Sequence, residues 1–183
     1  VTAKPEPLVE VPELIPDAVL DLRYATENNF LKRKVYPIAR CLLRESVAKR
    51  LARVSAHLHN QGYRLRLYDC YRPRSVQWEM WKILPKPGYV ADPREGSNHN
   101  RGAAVDLSLV TLDGKDVEMP TDFDSFEKRA HAGATEGVSA AAQAHRAVLR
   151  RAMESAGFKV NPMEWWHFDA PHPKRFPVLD QPL

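Results

Sequence analysis

The residues Ala104-Val-Asp-Leu-Ser-Leu-Val110 predict a central β-strand, because their side chains alternate with the period of two that is typical of a strand. Positions 105, 107 and 109 are apolar, whereas Ala104, Asp106 and Ser108 point to the other face. If the apolar face packs on a helix, Asp106 projects from the opposite face of the sheet. A carboxylate held on a rigid strand and directed into a cleft has the placement that a metal ligand needs.

Further elements with clear periodicity lie on both sides of this strand. The alternating stretch Tyr63-Arg-Leu-Arg-Leu-Tyr-Asp69 predicts a second strand, and a last short strand is expected near Trp165–Phe168. Apolar residues at helical spacing predict helices over residues 43–60, 73–83 and 136–156. Strands and helices do not alternate regularly enough for a parallel βαβ array, so the sequence predicts an α+β fold.

The length of 183 residues is that of one domain, and neither an internal repeat nor a low-complexity linker divides it. We therefore expect a single domain over residues 1–183, with helices flanking a small, mainly antiparallel sheet. Prolines are too frequent for a helix in the first 19 residues, which predict an extended N-terminal arm.

Composition excludes several classes of partner. No stretch approaches the roughly 18 consecutive apolar residues that a membrane span needs. The net charge of +4 comes from basic residues scattered over predicted helix faces, so no nucleic-acid partner is expected. Periplasmic and cytoplasmic locations both stay open, as does the oligomeric state.

Cys41 and Cys70 form no CxxC pair, and they are either one disulfide or two free thiols.

Two clusters of residues carry the chemistry. In the first, His99 precedes Asp106 by seven residues, and Gly102 offers a bend that brings the two together. The second is Glu164-Trp-Trp-His167, for which we expect His167 on a strand and Glu164 in the turn before it. Two imidazoles and one carboxylate predict a zinc site in a cleft on the sheet, with one ion per chain and a fourth position open to water. Glu164 would then act as the general base.

The other histidines match no such pattern, and we expect them to be surface or packing residues: His57, His59, His131, His145 and His172.

These motifs resemble the zinc D-alanyl-D-alanine dipeptidases, the VanX-like group within the larger set of peptidoglycan D,D-peptidases and carboxypeptidases. The segment Asp21-Leu-Arg-Tyr-Ala-Thr-Glu-Asn-Asn-Phe30 is similar to the N-terminal part of the group, and Tyr68-Asp-Cys-Tyr-Arg-Pro73 to its arginine loop. Ser97 to Asp106 and Glu164 to His167 resemble its two metal motifs. The group usually has Gly where Cys70 stands here.

The resemblance implies roles for several more residues. Arg72 would hydrogen-bond the oxyanion of the tetrahedral intermediate. Asp124 would receive the free ammonium of the substrate with Tyr24 as its helper, although Asp122 is near enough to be the alternative. Ser97 and Asp69 would assist at the carboxylate end of the substrate or orient the arginine loop; none of these roles follows from spacing alone.

The predicted activity is hydrolysis of the dipeptide D-Ala-D-Ala to free D-alanine, so the expected partner is a small-molecule dipeptide. Two alternatives stay open: a zinc carboxypeptidase or endopeptidase that acts on longer peptidoglycan stems, and a non-catalytic zinc module that binds wall peptide. Retention of both Glu164 and Arg72 argues against the non-catalytic module, because binding alone needs neither.

Overall fold

The computed structural model describes residues 6–183. In order, the elements are β1 (Leu8–Glu10), α1 (Val11–Leu14), β2 (Val19–Leu20), β3 (Leu42–Arg44), α2 (Glu45–His59), β4 (Tyr63–Asp69), α3 (Arg74–Ile83), β5 (Ala104–Thr111), α4 (Ala140–Ser155), β6 (Lys159–Asn161) and β7 (Glu164–Asp169). The strands have two or three residues each apart from β4, β5 and β7, and the helices lie between the strands along the chain. One turn of 3₁₀ helix, Asn98–Arg101, precedes β5.

A five-stranded sheet in the order β2-β4-β5-β7-β6 forms the centre of the molecule. All of its neighbouring pairs are antiparallel except β2 with β4. Strand β5 is in the middle, and residues 104–110 are buried. The predicted α+β fold with a mainly antiparallel sheet is therefore confirmed. A separate two-stranded sheet pairs β1 with β3.

Helices α2 and α4 cover the sheet with the apolar faces that their periodicity predicts. Helix α2 contacts β4 and α4, and α4 in turn contacts β5 and β7. Helix α4 begins later than the predicted residue 136, because the side chain of Ser139 caps it by accepting a hydrogen bond from the Ala142 amide. No helix within residues 6–183 combines the length and apolar character that a membrane crossing requires.

The predicted N-terminal arm differs from the structure in residues 8–20, while residues 1–5 lie outside the described residues. Strand β1 pairs with β3, and a single helical turn follows it as α1. Pro12 lies in the first turn of α1, where its missing N–H costs no helical hydrogen bond. Val11 and Ile15 are buried in the core, so this segment is a packed part of the domain.

Cys41 and Cys70 form a disulfide, which decides between the two alternatives that the sequence leaves open. The bridge links the residue before β3 to the residue after β4, and both half-cystines are buried. Beside it the amide of Tyr71 donates to the Leu42 carbonyl at 2.8 Å. The chain that leaves β4 is therefore attached to β3 by one covalent bond and one hydrogen bond.

We expect the disulfide to raise the free energy of unfolding by about 3–4 kcal/mol, the loop-closure entropy of a bridge between residues 29 positions apart. Urea unfolding of the wild-type protein with and without dithiothreitol measures this difference. The double variant Cys41→Ala/Cys70→Ala is the control, since its stability should not respond to the reductant. Equal stability of the oxidised and reduced wild-type proteins would contradict the prediction.

Candidate active site and metal centre

A cleft of about 590 Å³ opens on the sheet and gathers the residues that the sequence singled out. All the predicted site residues line it except Asp69, which lies behind Arg72. The lining residues among them are Tyr24, Arg72, Ser97, His99, Asp106, Asp124, Glu164 and His167. Segments far apart in the chain therefore meet in one cavity, as the motifs predict.

Three side chains at the base of the cleft converge as a candidate metal centre. Asp106 of β5 is directly opposite His167 of β7 in the antiparallel ladder, and its Oδ1 lies 2.9 Å from His167 Nδ1. His99 approaches from the 3₁₀ turn, with its Nε2 at 3.2 Å from Asp106 Oδ2. One ligand atom from each residue lies within 4.8 Å of the other two. The predicted ligands thus come together around one point.

The local sequence explains how His99 reaches this point. Ser97 caps the 3₁₀ turn by accepting from the His99 amide at 3.1 Å, and the Asn100 side chain accepts from the Ser97 amide at 2.8 Å. Gly102 then ends the turn with φ of 67°, in the left-handed region. A Cβ on Gly102 would lie 2.6 Å from Leu8 Cδ2, so a larger residue would also clash there.

Outer hydrogen bonds fix which imidazole nitrogen of each histidine faces the centre. Since a carbonyl can only accept, His99 Nδ1 donates to the Cys70 carbonyl at 2.8 Å and leaves Nε2 free. His167 donates from Nε2 to Asp169 Oδ1 at 2.8 Å, so its Nδ1 is directed to the centre. Sequence reasoning missed both partners. The contact with Asp169 could have been predicted, because a residue two positions after His167 lies on the same face of the strand.

The charges around His167 favour a cation at this position. Burial acts to lower the pKa of His167, but hydrogen bonds to Asp106 and Asp169 raise it well above its ordinary value. Burial also acts to raise the pKa of Asp106, yet His99 and His167 hold it well below its usual range. Two neutral imidazole nitrogens and a carboxylate directed at one point fit a divalent metal ion of the zinc type.

Glu164 faces the same cleft as His167 because β7 is irregular. Val160 pairs with Phe168 across β6 and β7, but the next residue of β6, Asn161, pairs with Glu164. The residues of β7 between these two pairs have no partner in β6, although His167 still pairs with Asp106 of β5. This bulge in the β6–β7 ladder breaks the strict alternation of side chains along β7. Glu164 is thus the first residue of β7, and the expectation that it lies in the turn before the strand is wrong.

Burial raises the pKa of the Glu164 carboxyl above its ordinary value, and the charge of Asp106 adds to this effect. The side-chain amide of Asn161 donates through Nδ2 to Glu164 Oε1 at 3.1 Å and holds the carboxyl in place. Trp165 and Trp166, which follow directly, are buried. A carboxyl with a raised pKa beside a metal centre is suited to accept and return a proton near neutral pH.

Arg72 is held by three partners that leave part of its guanidinium free. Its Nε donates to Tyr36 Oη at 3.2 Å, Nη1 to Gln77 Oε1 at 2.7 Å, and Nη2 to Asp69 Oδ2 at 2.6 Å. Because a guanidinium has five N–H groups, one on each terminal nitrogen remains to bind another group. The Arg72 amide donates to the His99 carbonyl at 3.0 Å, which attaches the arginine loop to the turn that carries His99.

Asp69 therefore orients the arginine and does not face the cleft. Burial acts to lower the pKa of Arg72, but the neighbouring Tyr36 and Asp69 raise it well above its ordinary value. The guanidinium is therefore charged at neutral pH. Of the two roles that the resemblance implies for Asp69, the contacts match orientation of the loop.

Asp124, and not Asp122, lies in the cleft. Its carboxylate accepts a hydrogen bond from the Tyr24 hydroxyl, whereas Asp122 is mostly exposed and pairs with Arg23. Desolvation raises the pKa of Asp124 well above its usual value, and the charges of Asp106 and Glu164 act in the same direction. An arriving cation would relieve this unfavourable environment, so the position is suited to an ammonium group.

Aromatic side chains at the mouth of the cleft had no sequence signal, since they lie in loops without periodicity. Tyr89 and Phe126 have ring centroids 4.2 Å apart, and Phe30 lies 5.4 Å from Phe126. His131, which we expected to be a surface or packing residue, also lines the cleft.

The chain is similar to known proteins over most of its length. The model of the Peptidase_M15 family, described as D-ala-D-ala dipeptidase, matches residues 4–182. A D-alanyl-D-alanine dipeptidase of Escherichia coli strain K12 is 37% identical over 172 residues, covering 94% of this chain and 89% of that protein. Another, from Enterococcus faecalis, is 34% identical over 184 residues, with coverage of 85% and 89%.

Among solved structures, the chain is similar to one described as vancomycin resistance D,D-dipeptidase VanXYg in complex with a D-Ala-D-Ala phosphinate analog. The TM-score is 0.47 at 21% identity, covering 92% of this chain and 69% of that chain. This likeness is too weak to carry detail about the site. The family match spans nearly the whole chain, and the chain therefore belongs to the D-Ala-D-Ala dipeptidase family of metallopeptidases.

Proposed function

We propose that this protein is a zinc-dependent dipeptidase that hydrolyses D-Ala-D-Ala to two molecules of D-alanine. The observation that carries the proposal is the convergence of His99, Asp106 and His167 in a cleft that also presents Glu164 and Arg72. The relatives named D-alanyl-D-alanine dipeptidase support the choice of substrate. A module that only binds metal or peptide would need neither the acidic residue nor the arginine.

Zinc is the metal that we propose, held by His99 Nε2, His167 Nδ1 and the Asp106 carboxylate, with one ion per chain. This donor set, with two imidazoles and one carboxylate, is typical of catalytic zinc sites. When bound, zinc lowers the pKa of a water molecule and polarises a carbonyl group. The hydrogen bonds to the Cys70 carbonyl and Asp169 keep each imidazole in the orientation that such binding requires.

Glu164 would take a proton from the attacking water and return it to the amine that leaves. Its raised pKa brings it closer to neutral pH, where a carboxylate can do both. Arg72 would donate its two free N–H groups to the oxygen that becomes negative in the transition state. The Tyr36, Gln77 and Asp69 contacts hold the guanidinium before the substrate arrives, so no further ordering is needed during the reaction.

Asp124 would set the length of the substrate. A partly buried carboxylate bound to Tyr24 is complementary to the free ammonium of a dipeptide. In a longer peptide an amide replaces that ammonium, and a neutral amide does not compensate the charge of the carboxylate. Ser97 caps the His99 turn and lines the cleft, and we propose that it contributes at the carboxylate end of the substrate.

We expect Glu164→Ala to lower kcat by about 10²- to 10⁴-fold, the usual contribution of a general base. Its zinc content should stay at one ion per chain, because Glu164 is not among the three ligands. Amine release from D-Ala-D-Ala and metal analysis by mass spectrometry measure the two quantities. Glu154→Ala, on the exposed face of α4, is the control. Full turnover by Glu164→Ala would remove this residue from the mechanism.

Arg72→Ala should lower kcat by about 10²- to 10³-fold and change KM much less, since the lost hydrogen bonds form mainly in the transition state. Arg72→Lys should restore little, because an ammonium lacks the planar array of donors. Steady-state kinetics measure both variants, with thermal unfolding as the check on folding. An unchanged kcat in Arg72→Ala would show that the oxyanion binds elsewhere.

Asp124→Asn should lower kcat/KM for D-Ala-D-Ala by about 10- to 100-fold, because a hydrogen bond between charged groups is lost. The matched control is Asp122→Asn, two residues away and outside the cleft. N-acetyl-D-Ala-D-Ala should be a poor substrate for the wild-type protein for the same reason. Ready hydrolysis of the acetylated dipeptide, measured by release of D-alanine, would instead support the carboxypeptidase or endopeptidase alternative.

A further inference from the structure

The amide of Gln77 connects two walls of the cleft from within the core. The residue lies on α3 and is fully buried, with no exposed surface. Its Oε1 accepts from Arg72 Nη1 at 2.7 Å, and its Nε2 donates to the Ala91 carbonyl at 2.8 Å. Ala91 belongs to the segment 88–91, all of which lines the cleft. One side chain thus touches both the arginine and the wall facing the substrate.

The side-chain amide of Gln77 matches both contacts. The arginine nitrogen can only donate and the Ala91 carbonyl can only accept, so the side chain between them needs one acceptor and one donor. An amide turned the other way would place donor against donor and acceptor against acceptor, which fixes the orientation of Gln77. Glutamate would keep the acceptor for Arg72 but would present a second acceptor to the Ala91 carbonyl.

Gln77 also completes the set of contacts that orients the guanidinium. Tyr36 and Asp69 hold Nε and Nη2, and Gln77 is the partner of Nη1. Without it, the guanidinium could still turn about the axis through its contacts with Tyr36 and Asp69, which would move Nη1. The free N–H groups would then lose their fixed direction, although no group in the cleft itself had changed.

We infer that Gln77 is a positioning residue for the hydrolysis, which fixes the direction of the free Arg72 N–H groups and anchors the cleft wall 88–91 to the same amide. This inference rests on the proposed function, in which Arg72 stabilises the oxyanion. Gln77 makes no contact with the reacting atoms in this arrangement and acts through Arg72 and Ala91. The position of the wall and the direction of the oxyanion donor are therefore coupled.

Two substitutions separate the two hydrogen bonds. Gln77→Met keeps a side chain of similar volume and loses both hydrogen bonds. We expect kcat to fall about 10-fold with little change in KM, because one hydrogen bond to a charged group is lost. Gln77→Glu keeps the acceptor for Arg72 but loses the donor to Ala91. We expect this variant to keep kcat within about threefold and to raise KM, because the wall 88–91 loses its anchor.

A double-mutant cycle distinguishes a positioning role of Gln77 from a merely structural one. In the Arg72→Ala background, Gln77→Met should have no further effect on kcat, since the residue acts through that arginine. Binding of a phosphinate analogue of the dipeptide to the zinc-loaded protein should weaken in Gln77→Met by the same factor as kcat/KM. Exposed Gln61 supplies the control variant, Gln61→Met.

Three outcomes would overturn the inference: an unchanged kcat in Gln77→Met, full additivity of its loss with that of Arg72→Ala, or a kcat loss in Gln77→Glu without a change in KM. If Gln77→Met does not fold, the Gln77→Glu variant alone tests the inference, and a kcat loss without a change in KM would overturn it. Normal turnover by Arg72→Ala would instead contradict the proposed role of the arginine. A failure of the proposed function is thereby distinguished from a failure of the role of Gln77.

Discussion

The pairing of β5 with β7 is the constraint on which the site depends. The ladder sets Asp106 directly opposite His167, so two of the three proposed ligands meet through backbone hydrogen bonds rather than through flexible loops. A register shift of one residue would turn every side chain of β7 to the other face and separate the pair. The buried strand β5, packed between β4 and β7, prevents such a shift.

The corner after β4 brings the remaining groups to this pair. Within four residues it supplies the Asp69 carboxylate, the Cys70 carbonyl that orients His99, and Arg72 itself. The disulfide to Cys41 and the hydrogen bond from Tyr71 to Leu42 hold this corner against β3. The disulfide therefore stabilises the site, because the backbone that it constrains also contacts the arginine and the turn that carries His99.

Sequence reasoning could reach the long elements and the metal motif, but not the contacts that depend on tertiary proximity. Strands β4 and β5 have seven and eight residues, long enough for alternation to be visible, whereas β1, β2, β3 and β6 have two or three residues each. The position of Glu164 depends on a bulge between β6 and β7, which no spacing encodes. The contact of the Cys70 carbonyl with His99 could not be predicted, because every residue has a carbonyl. The disulfide could not be predicted either, because the sequence does not give the distance between Cys41 and Cys70. Gln77 could not be distinguished from any other polar residue on a helix.

The charges of the cleft explain why its residues are complementary both to a metal ion and to the substrate. Asp106, Asp124 and Glu164 share one cavity, and desolvation with their mutual repulsion raises the pKa of Asp124 and Glu164. Arg72 offsets part of this negative charge, but three of its five N–H groups are already bound. In the proposed function, a divalent ion beside Asp106 and an ammonium beside Asp124 would each reduce the repulsion. Each would also lower the pKa of the remaining carboxyl groups, so that metal and substrate favour the ionised form of Glu164 that accepts the proton.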